Sequence, residues 1–412
     1  MRPLTIDTIE QLIATSGHDA GERRASFETY AATPMPTSKD EAWRYVDLDI
    51  DLADLSLPEG PGSALPADDF VGAVTDAAGR AMVIDGFVTS VEMDGGAALE
   101  ARLDAVDLVA TSDKFAAAHR AFAGESVVLT VPKGVTLERP VLIDVQATQP
   151  GTVSFPSIVV RLEENAEASV LVLLRGADGP IVQVPHISLD AGPAARLRFT
   201  TAQVMGPLAT NVTQQHVQID RDASVKLGEV GLGSSYARLD LDVDLVGTGA
   251  STDVVGLYFG ENEQVLDYRL VMNHIGKNTS SEVYLKGAVE DQAQSVFTGL
   301  LRIENDATRS SAFETNRNLV LSPGARANSV PNLEILCDDV VCGHGSSVGP
   351  LEEEHVYYLQ SRGLSRARAE RVLIRGFFSE VIDRLPAPRL AEPIRRVVFR
   401  RFEEAQSAGR IA

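Results

Sequence analysis

The chain has 412 residues and a formal net charge of −21, with 44% hydrophobic and 23% charged residues. This balance is typical of a soluble globular protein. The acidic excess argues against nucleic-acid binding, because phosphate contacts need a basic surface. No apolar run approaches the roughly 20 residues that a membrane span needs. The two cysteines cannot form a disulfide framework, so we expect a cytoplasmic protein with no membrane or nucleic-acid partner.

The amino-terminal part, residues 1–125, is predicted to be a mostly helical region and lead-in. The apolar residues of "TIDTIEQLIATSG" recur near helical spacing. A short element further on carries the only tryptophan, Trp43, close to Tyr45. We expect these two aromatic residues to pack the amino-terminal unit onto the main body.

Residues 126–349 are predicted to form a solenoid of short strands. Runs such as "SVVLTV", "SVLVLL" and "TDVVGLYF" are rich in β-branched and aliphatic residues and are separated by small or polar turns. The turn alanines Ala168, Ala195, Ala223 and Ala250 are 27, 28 and 27 residues apart, which indicates an internal repeat. No helix-length amphipathic segment lies between the strands, so a β-helix explains the spacing best. A β-sandwich is the alternative, although it does not explain a constant period.

The carboxy-terminal part, residues 350–412, is predicted to be helical. The segment "SRARAERVLIRGFFSEVIDRLP" begins with Ser365, a good N-cap, and its apolar residues recur at a spacing of three to four. Ile374 and Phe378 lie off the centre of this apolar stripe and are candidates for a partner surface. Eleven arginines fall within residues 362–401, and this basic tail on an acidic body indicates partner docking.

Both cysteines lie in "CDDVVCGHGSSVG", where Cys337, Cys342 and His344 have the spacing C-x4-C-x-H. Thiolate and imidazole suit zinc, copper or iron–sulfur chemistry, but the second ligand pair of a closed zinc site is missing. In an extended strand, Cys342 and His344 point to the same face, whereas Cys337 points to the other. One cysteine and one histidine are an incomplete ligand set, which needs donors from another chain or a bound cluster.

Two other interpretations of the motif stay open at this point. A Cys–His nucleophile would need an orienting carboxylate, which Asp338 or Asp339 could supply, and an oxyanion hole. Nothing in the sequence indicates a substrate pocket for such an enzyme. The second interpretation is that both cysteines are inert buried residues.

A resemblance to a known family covers essentially the whole chain and is strongest over residues 296–385. The segments "TNRNLVLSPGA", "PNLEI", "DDVVCGHG", "SVG" and "YYLQSRGL" resemble the signature region of the SufB/SufD family, which belongs to the SUF machinery of iron–sulfur cluster assembly. Near the amino terminus, "PTSKDEAWRYVDL" resembles SufD specifically. "CGHG" is similar to the SufD form, in which C-S-H-G is usual.

The resemblance implies a right-handed parallel β-helix flanked by amino- and carboxy-terminal α-helical regions. It also implies that a SufD-type chain pairs with SufB through the β-helices and binds the ABC-type ATPase SufC through its carboxy-terminal helices. The expected SufC-facing residues are then Tyr358, Ile374, Phe377 and Phe378. There is no G-x4-G-K-[ST] motif for a P-loop in the chain, so ATP hydrolysis is expected to belong to SufC.

The expected site of the SufD-type chain consists of Cys342 and His344. They would act as transient ligands of iron or of a nascent cluster shared with SufB, with no tightly bound cofactor. The sequence departs from the family pattern in two places: Gly343 replaces the usual serine, and Cys337 stands where a small alanine is common. Cys337 is therefore expected to be a small buried residue, while Glu334 is a further candidate for the ligand face because its spacing from Cys342 is even.

The resulting prediction is a non-enzymatic scaffold subunit that acts with SufB and SufC, and the isolated chain is a candidate homodimer. The alternatives are a β-helix carbohydrate-active enzyme and a purely structural interaction subunit. The 6% aromatic content and the single tryptophan outside the repeats count against the first alternative. His186, His216 and His355 are weak site candidates, expected to be packed, surface or partner-facing residues.

Overall fold

The computed structural model describes residues 1–15, 20–46, 48–103, 109–110 and 113–407. The protein is mainly β and contains a parallel β-helix of about eight turns with helices at both ends, which confirms the predicted fold class. The helices are α1 (Ile6–Thr15), α2 (Ala20–Ala32), α3 (Asp69–Gly72), α4 (Lys114–Phe122), α5 (Glu353–Ser361), α6 (Arg366–Arg384) and α7 (Ala391–Ser407). Short 3-10 helices span Glu41–Trp43, Leu52–Asp54 and Pro388–Leu390.

The strands become longer and more regular along the chain. The first twelve are β1 (Arg2–Pro3), β2 (Ser56–Leu57), β3 (Gly79–Ile84), β4 (Phe87–Met93), β5 (Ala98–Arg102), β6 (Ser126–Val131), β7 (Val141–Ala147), β8 (Val153–Ser154), β9 (Ser157–Leu162), β10 (Glu167–Gly176), β11 (Val182–Gln183) and β12 (His186–Ala191). The others are β13 (Arg196–Gln203), β14 (Thr210–Ile219), β15 (Ser224–Gly231), β16 (Tyr236–Leu245), β17 (Ser251–Gly260), β18 (Val265–His274), β19 (Ser280–Val289), β20 (Gln294–Ile303), β21 (Ser310–Val320), β22 (Arg326–Ile335) and β23 (Val340–Gly349).

Two sheets form the walls of the β-helix. Sheet 1 has the order β23-β21-β19-β17-β15-β13-β10-β7-β3-β4, and the main path of sheet 2 has the order β22-β20-β18-β16-β14-β12-β9-β6-β5. All of these pairs are parallel except β3 with β4 and β5 with β6. Because β3 pairs with β7, sheet 1 reaches back to Gly79, inside the region that the sequence assigns to the amino-terminal part.

The repeat arises at a corner, the turn that joins a strand of sheet 2 to the next strand of sheet 1. Four coils make this corner in the same way. Ala195, Ala223 and Ala250 occupy equivalent buried positions directly before a strand of sheet 1. The fourth equivalent residue is Ala166 and not Ala168, which lies within β10 opposite Leu197. The predicted set was therefore wrong at its first member, because the coil is 29 residues long there.

Each of these corner alanines follows a residue with a left-handed backbone. The preceding residues are Asn165, Ala194, Asp222 and Gly249, with φ between 56° and 77°. Glycine, asparagine and aspartate tolerate this conformation, whereas alanine pays about 1 kcal/mol or more for it. A left-handed residue followed by a small buried one is thus the local rule that turns the chain from one sheet to the other.

The interior of the β-helix is filled by side chains at alternate strand positions. Aliphatic residues dominate the main core, with Val225, Leu227, Val254, Val283 and Leu285 among the fully buried ones. In-register parallel pairing places each of them beside its counterpart in the next coil. Burial of about 25 cal/mol for each Å² of apolar surface makes this continuous stack the main stabilising contribution.

The amino-terminal elements cover the outer face of sheet 2. Trp43 is buried and stacks on Phe115 of α4, with 5.5 Å between ring centroids. Trp43 also contacts β16, because the Arg238 guanidinium lies over its ring at 3.9 Å from the ring centroid. Trp43 therefore packs the amino-terminal unit onto the β-helix as expected, whereas the side chain of Tyr45 is exposed.

The carboxy-terminal helices fold back over the outer face of sheet 1. Lys286 of β19 is buried by α6, and its Nζ donates to the Phe377 carbonyl at 3.0 Å and to Glu380 Oε2 at 2.6 Å. The Tyr284 hydroxyl donates to Glu380 Oε1 at 2.7 Å. A buried ammonium needs such partners, so Lys286 fixes the position of α6 on the sheet. In the described part of the chain, no helix is both long and apolar enough to cross a membrane.

The corner rule predicts that Ala194→Asn stabilises the protein. Asparagine relieves the left-handed strain of alanine, so we expect the free energy of unfolding to rise by about 0.5–1 kcal/mol, measured from the midpoint of urea denaturation. Ala195→Asn is the matched control. It introduces the same side chain at a fully buried site and should destabilise by about 2 kcal/mol or more. Equal effects at the two positions would contradict the rule.

Candidate functional site at the open end of the β-helix

The last coil leaves one end of the β-helix uncovered. β23 is the edge strand of sheet 1 and β22 is the edge strand of sheet 2, so neither has a second neighbour among the described strands. Edge strands present unpaired backbone donors and acceptors, which another chain can use. Large apolar side chains are exposed around this end: Phe313, Leu333, Leu336, Val341 and Val348.

Cys342 and His344 lie in the continuous strand β23 and share one face of it. Their neighbours in β21 are Ala312 and Glu314, both of which are buried in the interior. The two side chains therefore point into the β-helix at its open end. Cys342 is half-buried and packs against the main core, whereas His344 is exposed. The strand thus brings together the pair that the sequence predicts on one face.

The other two residues considered from the sequence lie apart from this pair. Cys337 is buried in the main core, two residues after β22 ends. Glu334 points away from the interior, because its neighbours Leu333 and Ile335 face the interior ladder of Leu301 and Ile303. Its Oε2 lies 3.7 Å from Nη1 of Arg302 on the outer face, so the placement of Glu334 on the ligand face was wrong. Even spacing fails here because a turn moves the chain from sheet 2 to sheet 1.

A buried acid that the sequence reasoning missed lies next to His344. Glu314 occupies the in-register position of the neighbouring strand, one 30-residue coil earlier. Its side chain is inward, 2% of the residue is exposed, and neither carboxylate oxygen has a hydrogen-bond partner among the described residues. Burial raises the pKa of Glu314 to about 8. Counting one coil back from His344 would have found it, because parallel coils stack in register.

The interior next to Glu314 is polar rather than aliphatic. Ser346 and Ser329 join their hydroxyls at 2.8 Å across the two sheets, and Ser329 donates to Asn316 Oδ1 at 2.9 Å. Asn318 donates to the same oxygen at 2.6 Å and accepts from the Tyr258 hydroxyl. This chain of hydrogen bonds extends from the open end into the β-helix and keeps the last coils in a defined arrangement.

A second buried glutamate lies deeper in the interior. Glu229 of β15 accepts a hydrogen bond from Gln215 Nε2 at 3.2 Å. Desolvation by burial raises the pKa of Glu229 to about 8, although the Gln215 hydrogen bond opposes the shift. Glu229 is therefore chemically similar to Glu314, but it has a partner and lies away from the open end.

The donor set at the open end is incomplete as it stands. Within the described residues, no three His, Cys, Asp or Glu side chains are arranged to hold a metal ion. A thiolate and an imidazole nevertheless suit iron and iron–sulfur clusters. The arrangement of Cys342 and His344 can thus contribute two ligands to a metal whose other ligands come from elsewhere.

The three other histidines considered from the sequence have ordinary structural surroundings. His186 is buried and stacks on His119 with 3.5 Å between ring centroids. His216 Nε2 lies 3.1 Å from Asp244 Oδ2 on the outer face of sheet 2. His355 is exposed on α5 beside Glu352.

The residues expected to face SufC fall into two groups. Tyr358 is 56% exposed on α5, and Phe377 is half-buried on α6. Ile374 and Phe378 are fully buried between α6 and sheet 1, with the Phe378 ring centroid 6.0 Å from that of Phe259. These two are core residues of this chain, so assigning them to an exposed surface was wrong. Compared with the apolar stripe expected from the sequence, the buried face of α6 is centred closer to Ile374 and Phe378. Val372 lies off this face and is exposed.

A cleft of about 1040 Å³ separates α5 and α6 from the outer face of the last two strands of sheet 1. Arg317 and Ser347 line the strand side, while Phe377 and Glu380 line the helix side. Glu380 also binds Lys286. The cleft therefore lies between the open end and the point where α6 is fixed to the sheet.

Comparison with known proteins identifies the family. A family model described as "SUF system FeS cluster assembly, SufBD core domain" matches residues 145–377. The chain belongs to the SufBD family. A SufBD family iron–sulfur cluster assembly protein of Mycobacterium tuberculosis is 30% identical over 400 residues, covering 95% of each chain.

Two relatives named SufD fit the type expected from the sequence. The iron–sulfur cluster assembly protein SufD of Bacillus subtilis is 28% identical over 295 residues, covering 70% of this chain and 67% of its own. SufD of Escherichia coli is 27% identical over 225 residues, covering 54% and 53%. The matched family region includes β21, β22 and β23, so the open end is part of the family core.

The buried acid Glu229 predicts a pH dependence of stability. A glutamate in the unfolded chain has a pKa of about 4.5, whereas burial raises the pKa of Glu229 in the folded protein to about 8. The folded state therefore binds more protons between these values, and stability falls as pH rises through this window. We expect Glu229→Gln to remove part of this fall, on the order of a few kcal/mol. Urea midpoints measured across that window check this, and parallel curves for both proteins would contradict it.

Proposed function

We propose that this SufBD family member is a SufD-type scaffold that has no turnover of its own and acts in the cytoplasm with a SufB-type and a SufC-type subunit. The observation that carries the proposal is the inward-facing Cys342–His344 pair at an open β-helix end with exposed apolar side chains. Two donors cannot complete a site, and unpaired edge strands favour a partner that supplies the others. Family membership supports this proposal over the alternative of a carbohydrate-active β-helix enzyme.

In this proposal the iron or nascent cluster is cargo and not a resident cofactor. His344 is exposed and imidazole is a common metal ligand, so it makes first contact. Cys342, which is half-buried, contributes a thiolate from the interior side. The SufB-type partner contributes the remaining ligands when its own edge strands pair with β22 and β23. The isolated chain can use the same edges to form a homodimer.

The carboxy-terminal helices are proposed to bind the SufC-type ATPase and transmit its movement. Tyr358 offers an exposed aromatic side chain on α5, a residue type that often anchors interfaces. Lys286 links α6 to β19, which lies two strands from β23 in sheet 1. A pull on α6 would therefore act on the wall that carries Glu314, Cys342 and His344, and would reshape the open end.

Cluster assembly tests the ligand role. We expect Cys342→Ala and His344→Ala each to lower the amount of cluster formed by about tenfold or more in anaerobic reconstitution with both partner subunits, because each removes one metal ligand. Cluster is measured by absorbance and by iron and sulfide content. Cys337→Ala and His216→Ala are matched controls, which remove the other thiol and a histidine far from the open end. Wild-type amounts of cluster in both site variants would leave only a structural pairing role.

Partner capture tests the two proposed surfaces separately. Tyr358→Asp should weaken binding of the SufC-type subunit by about tenfold, since it places a charge in an apolar contact. It should leave SufB-type binding unchanged. Val341→Asp, which alters a side chain that is 64% exposed at the open end, should have the opposite pattern. Binding is measured by co-purification and titration, and each variant is the control for the other. If either variant lost binding to both partner subunits, the assignment of separate surfaces would be wrong.

A further inference from the structure

We propose that Glu314 is a third metal ligand of this chain, and that Glu314, Cys342 and His344 form a carboxylate–thiolate–imidazole set for a divalent transition metal such as iron. This inference rests on the proposed function, because it adds a donor to the same open end. It goes further by assigning to this chain a metal-binding capacity of its own, before any partner is present.

The register of the strands places Glu314 beside the pair. It is the direct neighbour of His344 in sheet 1, and Ala312 is the direct neighbour of Cys342. Adjacent strands are about 4.8 Å apart, and side chains at paired positions lie on the same face. The three donors therefore occupy adjacent inward positions of two strands. A glutamate side chain is long enough to reach a metal bound by its neighbour.

The bonding state of Glu314 differs from that of two other buried acids, Asp144 and Asp267. Asp144 is held by both Nε and Nη2 of Arg175, at 2.8 and 2.7 Å. Asp267 accepts from the hydroxyl of Tyr236 and pairs with Arg238. Glu314 has no hydrogen-bond partner among the described residues, although it is equally buried. A buried polar group without a partner is costly, so a missing ligand such as a cation is a physical reason to retain it.

The space around the carboxylate shows where it rests without metal. It lies across the interior against Gly299 of β20, where an added Cβ would come within 1.9 Å of Glu314 Oε2. Glycine at position 299 leaves this room without displacing the carboxylate. Because the donors do not converge as they stand, binding requires Glu314 to rotate from Gly299 toward β23. In this proposal the movement is a rotation of the Glu314 side chain, since the strand positions are already adjacent.

The chemistry of the three donors is compatible with a metal that is passed on. Imidazole and carboxylate together suit iron(II), and a thiolate adds affinity for iron–sulfur species. Three ligands leave at least one coordination position open for sulfide or for a donor from the partner chain. Such a site binds its cargo without enclosing it.

Cobalt(II) titration of the full-length chain, without partners and under anaerobic conditions, tests the inference. Cobalt(II) resembles iron(II) in its ligands, and a thiolate ligand gives it a charge-transfer absorption. We expect one cobalt per chain, and we expect Glu314→Gln to weaken binding by about tenfold or more while the thiolate band remains. Cys342→Ser should remove the band. Glu229→Gln is the matched control, because it makes the same change at another buried glutamate and should leave cobalt affinity unchanged.

The outcomes separate this inference from the proposed function. Unchanged cobalt affinity in Glu314→Gln overturns the inference, and so does an equal loss in Glu229→Gln, which would indicate a general effect of interior charge. The absence of cobalt binding by the wild-type chain also overturns it, whereas the scaffold role is decided by reconstitution with the partners. Melting curves of the metal-free variants check folding. Glu314→Gln should melt at the same or a higher temperature, because it removes a buried acid without a partner.

Discussion

A parallel β-helix requires every inward side chain to pack against its counterparts in the coils before and after it. The period of two along each strand selects which residues face the interior, and the in-register pairing stacks them. The last coil satisfies this requirement on one side only. Cys342 and His344 have Ala312 and Glu314 behind them and, among the described strands, no further coil in front. The chemistry of the open end thus follows from the point at which the stacking stops.

The same constraint explains where the helices lie. Both sheets also have apolar outer faces, which must be buried against other elements. The amino-terminal unit covers sheet 2 through Trp43 and α4, and the carboxy-terminal helices cover sheet 1 through α6. These covers protect the walls of the solenoid but leave β22 and β23 without a second neighbour in the part of the chain that the structure describes. A β-helix whose walls are covered while one end is open suits a subunit that works in a complex.

The sequence predicts the features that depend on local periodicity. It does not predict those that depend on how segments distant in sequence pack together. The β-helix and the shared face of Cys342 and His344 follow from spacing within one coil or one strand. Glu334 was misplaced because a turn between sheets intervenes, and Ile374 and Phe378 because rotation of α6 on sheet 1 sets which stripe is buried. Glu314 was missed for the opposite reason. It is far from the motif in sequence and becomes a neighbour only when the coil length is known.

The interior polarity near the open end argues that this part of the molecule is not optimised for stability alone. An aliphatic residue at position 314 would continue the stack of Val254 and Val283, which precede it in sheet 1. A buried glutamate instead costs desolvation free energy, on the order of a few kcal/mol, and Gly299 provides the space for it. A ligand role for the carboxylate is a physical reason for this combination. Because a buried acid is easiest to accommodate where water or a cation can reach it, its place one coil from the end fits a role at the opening, next to the exposed imidazole of His344.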